Sequence, residues 1–397
     1  MKLSRRGLAV EESATLAISA KAKTLKAEGH DVVDFGVGEP DFVTPKYICD
    51  AAQEAMAKGL THYTPASGTM DLRTAICEKL LRENDLKYTP RQVVVSNGAK
   101  HSIYNALLAI VDPGDEVIIP APCWVSYPEM VKMCDGVPVI VYAGEEQGFA
   151  PTAAQLEAAC TKKTKAIILN NPVNPTGAAF DNHEIEKIAA LAVKRDLFVI
   201  SDEIYESLSY DGYKPVSIAS YGEEIKERTI TVNGVSKTFA MTGWRIGYAA
   251  AATDVAAVMG NIQSQATSNP NSIAQYASAA ALRGPKEIVD AMVAEFDRRR
   301  KRIHELINRV DGLSALLPRG AFYLFVNIKA MLGRKFKGVP INDSMEFAAA
   351  LLDEKKVAIV PGSAFCAEGY ERLSYALSME NLEKGAQRIK EFVEMLE

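Results

Sequence analysis

The stretch Leu197-Phe198-Val199-Ile200-Ser201-Asp202-Glu203-Ile204-Tyr205 reads as a short buried strand that runs out onto a carboxylate, with a phenol three residues later. The segment before it, residues 182–194, carries the apolar spacing of an amphipathic helix. Strand-like runs recur at 93–95, 116–119, 137–141, 166–169, 229–232 and 246–250, and helical stretches such as 102–110 separate most of them. Strands alternating with helices predict an α/β fold whose sheet is mostly parallel and covered on both faces. In such a sheet, ligands bind outside the carboxyl ends of the strands, so the polar residues just after each run are where chemistry is expected.

After Gly284 and Pro285 the pattern changes to a long charged helix over 286–310, strands near 322–326, 357–360 and 373–376, and a final helix over 380–396. This predicts a second, smaller α+β domain. The division expected is a large domain over 45–285, with a small domain made of 1–44 and 286–397. The basic run from Arg298 to Arg302 reads as a solvated helix face rather than a polyanion site.

A chain of 397 residues is longer than one hydrophobic core usually serves, which fits two domains. A formal net charge of -5 gives no electrostatic reason to expect nucleic acid or an anionic membrane, and no apolar run approaches the length of a span. The N-terminal residues lack the apolar centre of a signal peptide. Six cysteines are scattered without a CxxC pair, and the five histidines show no metal-ligand spacing. These features predict reduced thiols, no metal, a cytoplasmic location and small-molecule chemistry.

Three segments then qualify for that chemistry. Val93-Val-Val-Ser-Asn-Gly98-Ala99-Lys100 is a strand, a glycine turn and a helix start, where free N–H groups and the helix dipole can hold a phosphate. It matches neither the dinucleotide fingerprint nor the Walker A loop. Asp202 at a buried strand end either caps a following helix or needs a cationic partner, which a protonated pyridine nitrogen would supply. Thr229-Ile-Thr-Val-Asn-Gly-Val-Ser236-Lys237 ends an apolar run on a lysine, either a solvated surface group or an amine placed for covalent catalysis. Taken singly, Trp124 and Tyr205 read as core aromatics, Gly38 as a turn glycine and Asn174 as a loop former.

Several segments together resemble the class I, fold type I aminotransferases that use pyridoxal 5'-phosphate. They are Asn171-Pro-Val-Asn174-Pro-Thr-Gly177, Ser201-Asp202-Glu-Ile-Tyr205, Ser236-Lys237-Thr-Phe-Ala-Met-Thr-Gly-Trp-Arg245-Ile-Gly-Tyr and Arg372-Leu-Ser-Tyr-Ala, in the family's order and over nearly the whole chain. Gly38-Glu-Pro-Asp-Phe and Tyr127-Pro-Glu-Met place the resemblance in the bacterial aspartate aminotransferase branch that includes prephenate aminotransferases.

The resemblance implies that Lys237 attaches the cofactor and moves the proton at the substrate's Cα. It implies that Asp202 keeps the ring nitrogen protonated, that Tyr205 and Asn174 bind the ring's phenolic oxygen, and that Trp124 stacks on the ring. Ser236, Arg245 and the backbone at Gly98, Ala99 and Lys100 would bind the phosphate, joined by Tyr63 from the neighbouring subunit of a homodimer. Arg372 would take the substrate's α-carboxylate, with Gly38 leaving room for the backbone. Asn174 and Trp124 would also touch the substrate.

The implied reaction is a two-stage transfer of an amino group from an amino acid to a 2-oxo acid, with aspartate and 2-oxoglutarate as the leading pair. Lys100, with small polar residues near Ser13 and Thr15, would serve the distal carboxylate. Glu11 stands where prephenate-using relatives carry a lysine, and a carboxylate there would repel prephenate's extra charge. Carbon–sulfur lyases and cyclopropane-forming synthases share the fold and the lysine. A transcription regulator of this fold would need a DNA-binding extension that the chain lacks.

Overall fold

The computed structural model describes residues 3–10 and 14–397. Seven strands, Val93–Ser96 (β1), Glu116–Ala121 (β2), Val137–Tyr142 (β3), Thr164–Asn170 (β4), Phe198–Asp202 (β5), Thr229–Gly234 (β6) and Gly247–Ala250 (β7), form one sheet. Their order is β1-β7-β6-β5-β4-β2-β3. Every pairing is parallel except those of β7, which runs antiparallel to both β1 and β6.

Alternate residues of the central strands feed opposite faces, as the two-residue period of a strand requires. Ala166 and Ile168 of β4 pack toward the helices Ala99–Ile110 and Thr253–Ala266, whereas Ile167 and Leu169 pack toward the helix Asn182–Arg195. With both faces covered, the strands read as continuous apolar runs. A third cluster joins Val93, Val95, Tyr248 and Ala250 to the helices Lys46–Ala57, Met70–Asn84 and Ser272–Arg283.

The C-terminal part holds a four-stranded antiparallel sheet in the order Val360–Pro361, Tyr370–Ser374, Tyr323–Asn327, Ser314–Ala315. The helices Lys286–Ile307, Ser344–Lys355 and Met379–Glu394 cover it, around Phe296, Phe322, Phe347 and Phe392. Val33–Asp34 pairs in parallel with Val357–Ala358, tying the N-terminal segment to this part.

Three details depart from the sequence reading. The strand expected over 373–376 is Tyr370–Ser374, because two buried charged residues, Glu371 and Arg372, interrupt the apolar pattern that would have revealed its start. The run 357–360 is two short strands in different sheets. The basic run is not a solvated face throughout: Arg299 and Arg300 are buried. Arg299 bonds Asp41 at 2.7 Å and Glu295 at 2.7 Å, while Arg300 reaches Asp211 at 2.8 Å and the carbonyl of Pro318 at 2.6 Å. Charge periodicity alone does not reveal acids supplied from distant loops.

Candidate active site

A cavity of about 420 Å³ opens at the carboxyl ends of β4, β5 and β6, against the strand Tyr370–Ser374. Gly38, Ala99, Lys100, Trp124, Asn174, Asp202, Tyr205, Ser236, Lys237, Arg245 and Arg372 all line it. Chain distances of up to several hundred residues are thus closed by the rule that places ligands at strand ends.

Asp202 is the last residue of β5 and is buried. No helix follows it to be capped. Its Oδ2 accepts from the Tyr127 hydroxyl at 2.7 Å and its Oδ1 from the Ile204 N–H at 3.2 Å. Burial pushes its carboxyl up to about 6, against the opposing pull of these two donors and of the Lys237 charge. It is an acid prepared for a cation that the chain itself does not place on it.

Lys237 lies three residues beyond β6, and its Nζ donates to the Gly38 carbonyl at 2.5 Å. Burial lowers its amine to about 8; Glu39 and Asp202 oppose the shift, while Arg372 and Arg245 add to it. A large fraction of neutral amine near pH 8 makes a competent nucleophile and base.

Arg372 is 2% exposed. It donates from Nη1 to Asn174 Oδ1 at 3.0 Å and from Nη2 to the Gly36 carbonyl at 3.0 Å, and its Nε has no partner. Tyr323 and Phe365 sandwich the guanidinium, 4.5 and 4.9 Å from their ring centroids. Tyr323 also shares a 3.0 Å hydrogen bond with the Tyr205 hydroxyl. Asn174 is held by its own N–H on Asn170 Oδ1 at 2.9 Å, and Asn170 reaches back to the Asp202 carbonyl at 2.9 Å. Among the described residues the result is a planar cation with no acid paired to it and one unspent donor.

The opposite end is a glycine turn. Gly98 sits at φ 87 and precedes the helix Ala99–Ile110, which starts three residues earlier than its apolar spacing suggests, so that Ala99 and Lys100 form its first turn. Their N–H groups have no acceptor within the helix. A side chain at Gly247 would run into the backbone of Gly98 and Ala99, so only glycine lets β7 approach this turn. Arg245, itself in the left-handed region at φ 56, closes the turn through Thr242 O at 2.8 Å and Asn97 O at 3.4 Å. Buried Ser236 completes this end. Helix start, hydroxyl and guanidinium together suit an anion.

Trp124 meets Tyr127 edge-on at 5.3 Å, and Lys100 Nζ lies 4.7 Å from the Trp124 ring centroid. Burial lowers the Lys100 amine, and the charge of Arg245 adds to the shift. Tyr63 does not reach this cavity and is 90% exposed. Thr15 belongs to the helix Ala14–Ala27, but its side chain, like Glu11 and Ser13, lies outside the described residues.

The sequence reading left several lining residues without a role: Tyr127, Tyr323, Asn170, Glu39, Ser19 and Lys23. Tyr127 offered a faint signal, standing in the quoted Tyr127-Pro-Glu-Met segment three residues after Trp124, at the start of the helix Ser126–Met133. Tyr323 offered none, because its approach to Tyr205 comes from the long-range bridge between Ser209 and Gly320 and from the Ala321 N–H on the Leu208 carbonyl at 2.8 Å.

Comparisons with known proteins agree with this geometry. The chain is 49% identical over 395 residues to an aspartate aminotransferase of Bacillus subtilis, covering 99% of both chains. It is 47% identical to an aspartate/prephenate aminotransferase of Cereibacter sphaeroides, with 96% of each covered. Among solved structures, the aspartate aminotransferase of Rhizobium meliloti superposes with a TM-score of 0.96 at 41% identity over the whole of both chains. That of Thermus thermophilus with maleate gives 0.93 at 42%, covering 99% of this chain and 100% of that one. The family described as aminotransferase class I and II matches residues 30–389, a span that takes in Gly38, Lys100, Trp124, Asn174, Asp202, Lys237 and Arg372, and the chain belongs to that family.

Proposed function

We propose that this protein is a pyridoxal 5'-phosphate-dependent aspartate aminotransferase that passes the amino group of L-aspartate to 2-oxoglutarate. The observation that carries this reading is the pairing, across one cavity, of a lysine with a lowered pKa and an arginine with an unspent N–H. The residues fit the cofactor: the glycine turn, Ser236 and Arg245 suit its phosphate, and Asp202 suits a protonated ring nitrogen. When bound, the cofactor supplies a carbonyl that takes up amines and a ring that accepts the electron pair left at the substrate's Cα.

Arg372 binds the α-carboxylate through a charge-assisted pair, for which its planar fork suits better than an ammonium. Lys237 Nζ takes the proton from Cα and returns a proton on the other side of the transfer. Asp202, oriented by Tyr127, holds the proton at the ring nitrogen. Tyr205, oriented by Tyr323, and Asn174 donate toward the phenolic oxygen, while Trp124 covers the ring. One carboxylate-binding arginine admits one substrate at a time, so the oxo acid leaves before the second one enters.

The distal carboxylate of a dicarboxylic substrate is assigned to Lys100, with Thr15 beside it. The names of the relatives and the maleate-bound Thermus structure, a dicarboxylate complex, support a dicarboxylic substrate. Tyr63, exposed and remote from its own cavity, supports a homodimer in which it reaches the partner's phosphate. The large domain is taken as 45–285 and the small one as 1–44 with 286–397, so that the site lies between the two sheets. The unpaired cysteines support a reducing compartment, the cytoplasm.

A panel of amino donors against 2-oxoglutarate tests the reading. Aspartate is expected to turn over fastest and prephenate to be a poor acceptor of amino groups. Release of pyruvate and ammonia from a sulfur amino acid without any oxo acid would instead establish a lyase.

A further inference from the structure

Two cysteines from distant parts of the chain meet beside the cavity, Cys123 being the residue before the lining Trp124. Cys123 lies two residues after β2, next to Trp124, and is buried. Cys366 follows the turn Gly362–Phe365 and is exposed. The Cys123 N–H donates to the Phe365 carbonyl at 3.1 Å, which clamps the two segments and sets Cys366, the next residue, beside Cys123, so that each thiol lies in the field of the other. An accessible thiol backed by a buried one is the arrangement in which a first oxidation is resolved within the molecule.

We propose that Cys366 and Cys123 form a modification site at which small-molecule disulfides oxidise the pair to an intramolecular bridge. The neighbouring Cys123 holds the Cys366 thiol below the usual range; burial opposes this and the charge of Lys132 assists. Cys366, followed by burial, pushes Cys123 up. Cys366 is therefore the attacking sulfur and Cys123 the resolving one.

The Cys366 thiolate attacks one sulfur of the small disulfide, whose S–S bond breaks and releases the first thiolate. Cys123 then loses its proton and attacks Cys366 Sγ, expelling the second thiolate. The two cysteines are oxidised by two electrons, the small disulfide is reduced by two, and the two protons end on the two small thiols.

The bridge ties the loop carrying Trp124 to the segment carrying Phe365. Trp124 packs on Tyr127, which holds Asp202, and Phe365 packs on Arg372. Oxidation thus fastens the cofactor wall of the cavity to its carboxylate wall.

The test exposes the holoenzyme to oxidised glutathione, alkylates the remaining thiols and maps unreduced peptides by mass. A linked peptide pair containing Cys123 and Cys366 is expected, with the other cysteines alkylated. C123A should instead keep glutathione on Cys366, and C366S should leave Cys123 alkylated. Recovery of both cysteines alkylated in the wild-type protein, or a bridge to any other cysteine, overturns the proposal. If C123A fails to fold, C366S decides alone, because its residue is exposed: continued oxidation of Cys123 in that variant also overturns it.

Discussion

Lys79 and Lys237 are both drawn out of water, yet they reach opposite chemistry. Lys79 is buried under the helix Met70–Asn84, where it bonds Glu206 and Asn84 Oδ1, the latter at 2.7 Å, with Glu83 at 3.6 Å. Glu206 in turn accepts from Asn84 and Asn233, each at 2.6 Å. Burial alone would lower the Lys79 amine, but Glu206, with Tyr248 and Glu83, outweighs it and raises the amine above its ordinary value. Lys237 has a carbonyl on its nitrogen, two arginines nearby and, among the described residues, no carboxylate bonded to it. Desolvation therefore wins at Lys237 and loses at Lys79. A reactive amine needs burial without a dedicated acid.

The two lysines share one turn, since Glu206 directly follows Tyr205. One side of that turn holds the fold together and the other holds the chemistry. The sharpest way to break the comparison is Lys237→Ala, expected to lower transamination by about 10²–10⁴-fold, the range of a lost proton-transfer group. Steady-state assay with aspartate checks this, and a variant with near-normal turnover would remove Lys237 from the mechanism.

Lys79→Met should leave the site chemistry intact in the folded fraction but cost about 3–5 kcal/mol of stability, because Glu206 becomes a buried charge without its partner. The sign with pH follows from linkage. The folded-state value of Lys79 lies above its unfolded 10.5, so the stabilisation is complete below about pH 10.5 and disappears as pH rises through the folded value. Urea unfolding of the variant and the wild type at neutral and strongly alkaline pH should show the gap closing; a constant gap would contradict the pairing.

Arg372→Lys keeps the charge and loses the fork. We expect a loss of about 1.5–3 kcal/mol in kcat/KM for both substrates, the scale of a hydrogen bond to a charged group. An unchanged kcat/KM for the oxo acid would place its carboxylate elsewhere.

A last effect has the opposite sign to that at Lys79. In the cofactor-free protein Lys237 is depressed from 10.5 to about 8, so its cost is complete below pH 8. Between pH 8 and 10.5 the unfolded chain binds more protons, and stability rises with pH. Lys237→Met should therefore stabilise the cofactor-free protein by up to about 3 kcal/mol at pH 7 and by less at pH 10. Destabilisation at pH 7 would mean that the amine is not strained by burial.

All seven strands of the large sheet were legible as apolar runs, most of them rich in β-branched residues; central ones such as Thr164–Asn170 are apolar because both their faces are covered, whereas Val137–Tyr142 is partly exposed. Asp202, Lys237 and Arg245 were legible from their motifs and from strand ends. The strand of Arg372 was misplaced by three residues, since a buried Glu371 and Arg372 look like a loop in sequence. Arg299 and Arg300 were misread for a related reason: what buries them is Asp41 and Asp211, which nothing local announces.

By itself the sequence determined the seven strands of the large sheet, which residues stand at their carboxyl ends and which chemical groups are available, because these follow from local periodicity and residue type. Only the tertiary structure decided the states of those groups. The Asp202 carboxyl near 6, the Lys237 amine near 8 and the unspent Nε of Arg372 depend on which dipoles and charges arrive from other segments. Electrostatic energy in a buried site is set by distance and desolvation, and neither is a property of chain order.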